Sequence, residues 1–218
     1  MIFVNFKTYP EATGEKAIAL AHVCQKVQAR TGVAMRLCVQ TVDINPVAGQ
    51  IDLPIWAQHI DPVPSRRATG FTTAWAVRRA GAWGTLLNHS EHPLEFSQLK
   101  QAVSLAKTEE LEVLIFVKDI QEAQRVSELE PEFMALEEPE LIASGKAMVD
   151  SEQGKAKIKE FLNAGFSSYL LVGAGITCRE DVAFSIKLGA GGIVVSSGVV
   201  LAQNPQKALE DLALGFKS

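Results

Sequence analysis

Tyr169–Gly198 reads YLLVGAGITCREDVAFSIKLGAGGIVVSSG. An apolar run, Tyr169–Val172, breaks into the small-residue turn Gly173-Ala174-Gly175. An amphipathic stretch, Arg179–Leu188, follows, with Thr177 and Glu180 at the spacing of a capping box and Gly189 as its stop. A second apolar run, Ile193–Ser196, ends in another small turn, Ser196-Ser197-Gly198. Strand, helix and strand within about thirty residues form a βαβ unit, and such a unit demands parallel strands.

The same alternation extends back to the first residue. Further strands are expected at Ile2–Phe6, Arg36–Val39, Ile55–Gln58, Thr85–Leu87, Val113–Val117 and Phe133–Leu136. Helical patterns cover Glu11–Thr31, Thr72–Gly81, Glu95–Thr108, Ile120–Leu129 and Glu152–Ala164, and Asn204-Pro205 caps a last helix through Phe216. After the second strand only a short turn is expected, around Asn45–Gly49. Eight strands with a helix after most of them fit a closed (β/α)8 barrel better than an open doubly wound sheet of five or six strands. No linker, composition shift or low-complexity segment divides the chain, so residues 1–218 are expected to form one domain.

Composition narrows the function classes. The chain has 218 residues, 47% of them hydrophobic, and a net charge of −4 with acids and bases interspersed. That pattern suggests neither a nucleic-acid nor a membrane-surface partner. Cys24, Cys38 and Cys178 have no CxxC spacing and read as free thiols in a reducing compartment. Four scattered histidines make no metal-ligand pattern. The apolar opening is too short for a signal peptide, and no stretch is long enough to span a membrane. The expectation is a soluble, cytoplasmic protein.

Barrels place their chemistry at the carboxyl ends of the strands. Asn5-Phe6-Lys7 ends the first strand. Alternation turns Asn5 and Lys7 toward the mouth and Phe6 away from it, with Lys7 as a fixed cation. In Leu86-Leu87-Asn88-His89-Ser90-Glu91, polar residues follow a strand end directly. A neutral His89 there would donate to a carbonyl oxygen and stabilise an oxyanion. Glu91 would orient Lys7 or cap the helix beginning near Pro93, and Asn88 would pack and hydrogen-bond. After the sixth strand, Glu137 through Gly145 begins with carboxylates, passes through Leu141 and Ile142, and closes on small residues. That composition suits a lid with a catalytic base at one hinge, although a solvated acidic loop has the same composition. The turns Gly173-Ala174-Gly175 and Ser196-Ser197-Gly198 on consecutive βα units suit a phosphate.

These segments resemble the triosephosphate isomerase family in its compact archaeal form, nearly end to end. Asn5 through Tyr9, Gln58 through Asp61, Gly84 through Glu91, Glu137 through Gly145, Val172 through Gly175 and Ser197 through Val200 carry the resemblance. It implies a TIM barrel that interconverts dihydroxyacetone phosphate and glyceraldehyde 3-phosphate without a cofactor or metal. It further implies that Glu137 is the base, His89 the neutral electrophile kept so by a helix N-terminus, and Lys7 the cation. Asn5 and Gly173 bind substrate, and the backbone N–H groups of Ala143, Gly175, Ser196 and Ser197 hold the phosphate. The family is itself the worked example of this pairing of base and neutral histidine, so these roles are carried over from it. Family members assemble as homo-oligomers, dimers or tetramers, through a third loop matched here by Pro64–Gly70, with Thr69 the contact residue.

Three departures stand out. Glu138 follows the matched base where the family has proline, which comes one place later at Pro139. The far hinge reads Ala143-Ser144-Gly145 rather than a glycine-led turn. Arg66 and Arg67 occupy the third loop. Two rival readings remain: a Schiff-base aldolase on Lys118, the one other lysine at a strand end, and a phosphate-binding or assembly protein without turnover.

Overall fold

Successive strand residues face opposite ways, and in the computed structural model the two faces of each strand fill two different cores. The structure describes residues 1–137, 151–173 and 175–217. Eight strands pair in chain order, all parallel: β1 (Ile2–Asn5), β2 (Met35–Val39), β3 (Ile55–Ala57), β4 (Gly84–Leu87), β5 (Glu112–Val117), β6 (Phe133–Leu136), β7 (Tyr169–Val172) and β8 (Gly192–Val195). β8 pairs back onto β1, which closes the barrel.

Outward residues such as Ile2, Val4, Val113 and Ile115 pack under a ring of helices. The helices are α1 (Glu15–Thr31), α2 (Ile44–Ala48), α3 (Ala74–Arg79), α4 (Phe96–Thr108), α5 (Ile120–Ser127), α6 (Glu152–Asn163), α7 (Arg179–Lys187), α8 (Ser197–Val200) and α9 (Pro205–Leu214). Inward residues fill the lumen, where Phe3, Trp56 and Phe133 meet edge to face with centroids 4.9 to 5.7 Å apart. Gly84 makes room for this plug, because a Cβ there would lie 2.8 Å from the Trp56 ring. The lumen is therefore packed solid below the mouth.

Several local expectations change. β1 ends at Asn5, and Lys7 sits beyond it in the left-handed region at φ 47°. The capping box of α7 uses Cys178 and Asp181 rather than Thr177 and Glu180. The Asp181 carboxylate accepts from the backbone N–H groups of both Thr177 and Cys178. The expected turn after β2 is a one-turn helix, α2, and the residues after β8 form another, α8. α1 starts at Glu15, because Pro10–Ala12 is a separate 3-10 turn.

Candidate active site

Strand register decides which residues share the mouth. Leu136 is level with Val117 on one side and Val172 on the other, so Glu137 follows at the same height as Lys118 and Gly173. A Cβ on Gly173 would lie 3.5 Å from Glu137 Oε1, so the turn after β7 lies against that carboxylate.

Lys7 is reached through a local turn rather than by strand alternation. Its backbone N–H donates to Asn5 Oδ1 at 3.0 Å, and the Gln58 amide donates to both Lys7 O and Cys38 O. The ammonium then meets Glu91 Oε1 at 2.7 Å. Glu91 thus orients the lysine. It does not cap α4, whose capping box is Glu95 with Gln98.

His89 is 7% exposed. Its Nδ1 accepts the Glu91 backbone N–H at 3.1 Å, so the proton of the neutral ring sits on Nε2. Nε2 lies 3.3 Å from Glu137 Oε2. Burial first, and the Lys7 charge second, hold the imidazole down to about 4, with Glu91 opposing. Desolvation and a nearby cation thus favour the neutral ring that the resemblance implies. Burial also pushes the Glu137 carboxyl up to about 7, against the charge of Lys7 and reinforced by Glu91. Glu137 Oε2 makes no hydrogen bond among the described residues. One group is thus a neutral donor at physiological pH, and the other a carboxylate poised to exchange a proton.

A cavity of about 720 Å³ opens over Lys7 and His89, lined also by Asn5, Gln58, Leu86 and Glu91 among others, while Glu137 lines a smaller adjoining space of about 210 Å³ with Asn88 and Ser90. His59, Asp61 and His92 also line the larger cavity, and the sequence reading assigned them no role. The His59 and His92 rings stack at 3.9 Å, and Asp61 lies 3.5 Å from His59. Their signal was position just past β3 and β4, together with the resemblance over Gln58 through Asp61. On the phosphate side, Gly175 takes φ 78° and Ser196 Oγ is buried without a hydrogen bond among the described residues. A Cβ on Gly198 would come within 3.9 Å of Ile176 O, so the turns after β7 and β8 adjoin. Ala143 and the rest of the expected lid beyond Glu137, together with Ala174, lie outside the described residues.

A family model described as Triosephosphate isomerase matches residues 1–212. The chain belongs to that family. A triosephosphate isomerase of Methanosarcina acetivorans is 36% identical over 97% of this chain and 96% of its own length. One of Methanothermobacter thermautotrophicus is 37% identical over 97% and 93%. A solved triosephosphate isomerase from Bartonella henselae superposes with a TM-score of 0.75 over 100% of this chain and 98% of its own, at 15% identity, and confirms the fold. The reaction is accordingly the interconversion of dihydroxyacetone phosphate and glyceraldehyde 3-phosphate, and the substrate is a phosphorylated triose. For this isomerase the aldolase reading loses its footing. Lys118 is exposed at the rim of a separate 210 Å³ cavity rather than desolvated in the lumen. No helix among the described residues is long and apolar enough to cross a membrane.

Proposed function

We propose that the isomerisation runs through an enediolate, with Glu137 as the base that carries a proton between the two substrate carbons. His89 donates from Nε2 to the carbonyl oxygen. Lys7, held by Glu91, balances the charge of the enediolate and the phosphate, and Asn5 and Gly173 complete the substrate contacts. The phosphate lies on backbone N–H groups of Gly175, Ser196 and Ser197, joined by Ala143 from the lid. The observation that carries this reading is the 3.3 Å approach of His89 Nε2 to a buried Glu137 carboxylate. A carbonyl carbon and its neighbour taken up beside that pair would meet donor and base together.

No cofactor or metal enters this scheme, since both proton positions are supplied by side chains. The whole of residues 1–218 serves as one barrel domain, acting in glycolysis and gluconeogenesis in the cytoplasm. It works as a homo-oligomer, dimer or tetramer. Exposed Phe71 and Trp75, just past the Pro64–Gly70 loop in the chain, support that state.

Turnover of glyceraldehyde 3-phosphate by wild type, Glu137→Gln and Glu138→Gln tests the assignment. Loss of a general base predicts a fall of about 10²–10⁴ in kcat for Glu137→Gln. Glu138→Gln should stay near wild type. A dominant loss at Glu138 would move the base by one residue, and no turnover by folded wild type would favour the phosphate-binding reading.

A further inference from the structure

His89 is preceded by a residue in an unusual conformation. Asn88 has φ 57°, in the left-handed region that non-glycine residues seldom occupy, although asparagine tolerates it better than most. Three hydrogen bonds hold it there. Its Nδ2 donates to Phe116 O, at the end of β5, and to Glu122 Oε1, on α5, both at 3.0 Å. Its Oδ1 accepts the backbone N–H of Leu94 at 3.0 Å. The last bond draws residues 88–94 into a closed loop, and His89 and Glu91 are both carried on that loop.

Glu122 is itself fixed. Its second oxygen accepts the Lys118 N–H at 2.9 Å, and its own N–H donates to Asp119. Asn88 therefore ties the loop after β4 to the end of β5 and the first turn of α5. Phe116 is the point of that connection. Its ring stands edge-on to the imidazole of His89, centroids 4.7 Å apart at 80°, and it is almost fully buried. One amide thus holds the carbonyl of the residue whose ring backs the imidazole, and also the loop that bears the imidazole.

We propose that Asn88 and Glu122 form a clamp that positions the His89 ring against Phe116, making both positioning residues for the isomerisation. The clamp acts on orientation: both side chains are spent on protein hydrogen bonds, and they line the smaller cavity behind His89, beside Glu137, rather than the main one. The effect on rate would come through the transition state more than through substrate affinity, since the donor must meet the developing oxyanion within a fraction of an ångström. This rests on the role proposed for His89, and a His89→Gln control separates the two ideas.

Asn88→Gly keeps the left-handed backbone accessible and deletes all three bonds. The expected result is a kcat lower by about 10- to 100-fold, as for a misplaced catalytic group, with KM within about threefold of wild type. In ¹⁵N spectra the His89 ring should titrate about one pH unit or more above its wild-type value as the freed imidazole gains solvent. Asn88→Asp alone sets two carboxylates against each other and should be slower still. Adding Glu122→Gln supplies a new amide donor to that carboxylate and should restore kcat at least about fivefold over the single change, a coupling typical of residues in contact. Wild-type kcat in Asn88→Gly, an unmoved His89 titration, or a double variant no faster than Asn88→Asp would each overturn the clamp. Wild-type turnover in His89→Gln would overturn the role of His89 instead, and the ring titration would still decide whether Asn88 positions it.

Discussion

The two sides of the barrel mouth are built differently. From β1 to β4 the groups that line the main cavity are bonded to one another: Asn5 to Lys7, Gln58 to Lys7 and Cys38, Lys7 to Glu91, and Glu91 back to His89. From β6 to β8 the buried polar atoms stand alone. Glu137 Oε2 and Ser196 Oγ have no hydrogen bond among the described residues; the first side also leaves two such atoms, His59 Nε2 and Ser90 Oγ, but outside its chain of bonded groups. The first side is preorganised, with its cation and its neutral donor set by protein contacts before any substrate arrives. The second keeps desolvated groups whose cost the fold carries for the sake of chemistry.

The strongest way to break this contrast is to cut into the bonded side. Lys7→Ala removes the only ammonium or guanidinium among the described residues lining the main cavity, and with it the partner of Glu91. Loss of one preorganised electrostatic group predicts a fall of about 10²–10³ in kcat/KM. Glu91→Gln keeps the lysine but loosens its hold, so a smaller loss, about tenfold, is expected because the cation is less well oriented. Steady-state kinetics of the pair checks the order. Equal losses would mean that Glu91 does more than orient Lys7.

How much of this contrast was legible beforehand follows from the kinds of interaction involved. The eight strands were readable because each is an uninterrupted apolar run bounded by turn residues, and parallel pairing followed from the helices between them. Lys7, His89, Glu91 and Glu137 stood out as polar residues just past those runs. The links between them were not readable. A positive φ at Lys7 and at Asn88, and a Gln58 amide shared by two carbonyls, are tertiary facts with no local periodicity. The cap of α7 was misassigned by one residue for the same reason, since Thr177 and Cys178 both satisfy their N–H groups on Asp181 and only the backbone shows which is the cap. The neutrality of His89 is implied by the resemblance, but the part that burial and Lys7 play in it is a tertiary fact not visible in a sequence.

A sharper test lies on the unpaired side. The Glu137 carboxyl sits near 7 in the fold, against an ordinary value of 4.5. The folded state therefore holds this proton more tightly than the unfolded chain. Below the ordinary value both states are protonated and no penalty exists. As pH rises from about 4.5 to 7 the unfolded chain ionises first, and the fold loses stability, by about 3 kcal/mol when both states are ionised. Glu137→Gln should recover a substantial part of that above pH 7 and little near pH 4, which denaturant unfolding at the two pH values would measure. With Glu137 as the proposed base, the same titration governs rate. kcat/KM should fall about tenfold per unit as pH drops below 7, because only the carboxylate accepts a proton. A profile flat down to pH 5 would show that Glu137 is ionised well below the value its burial implies.

The smallest effect expected is at Ser196, and it separates cost from function most cleanly. Its hydroxyl is buried and makes no bond among the described residues, so Ser196→Ala removes no hydrogen bond seen among them. Deleting an unsatisfied buried group relieves its desolvation, so unfolding free energy should stay within about 0.5 kcal/mol of wild type or rise slightly. If the turns after β7 and β8 hold the phosphate mainly through backbone N–H groups, KM should change by less than about fivefold, the size of one neutral hydrogen bond. A loss of stability beyond 1 kcal/mol would reveal a partner for the hydroxyl and erase the contrast at that point. A large rise in KM with unchanged stability would make the side chain a phosphate ligand. The unpaired side would then hold its buried polar atoms ready for the substrate's anionic end.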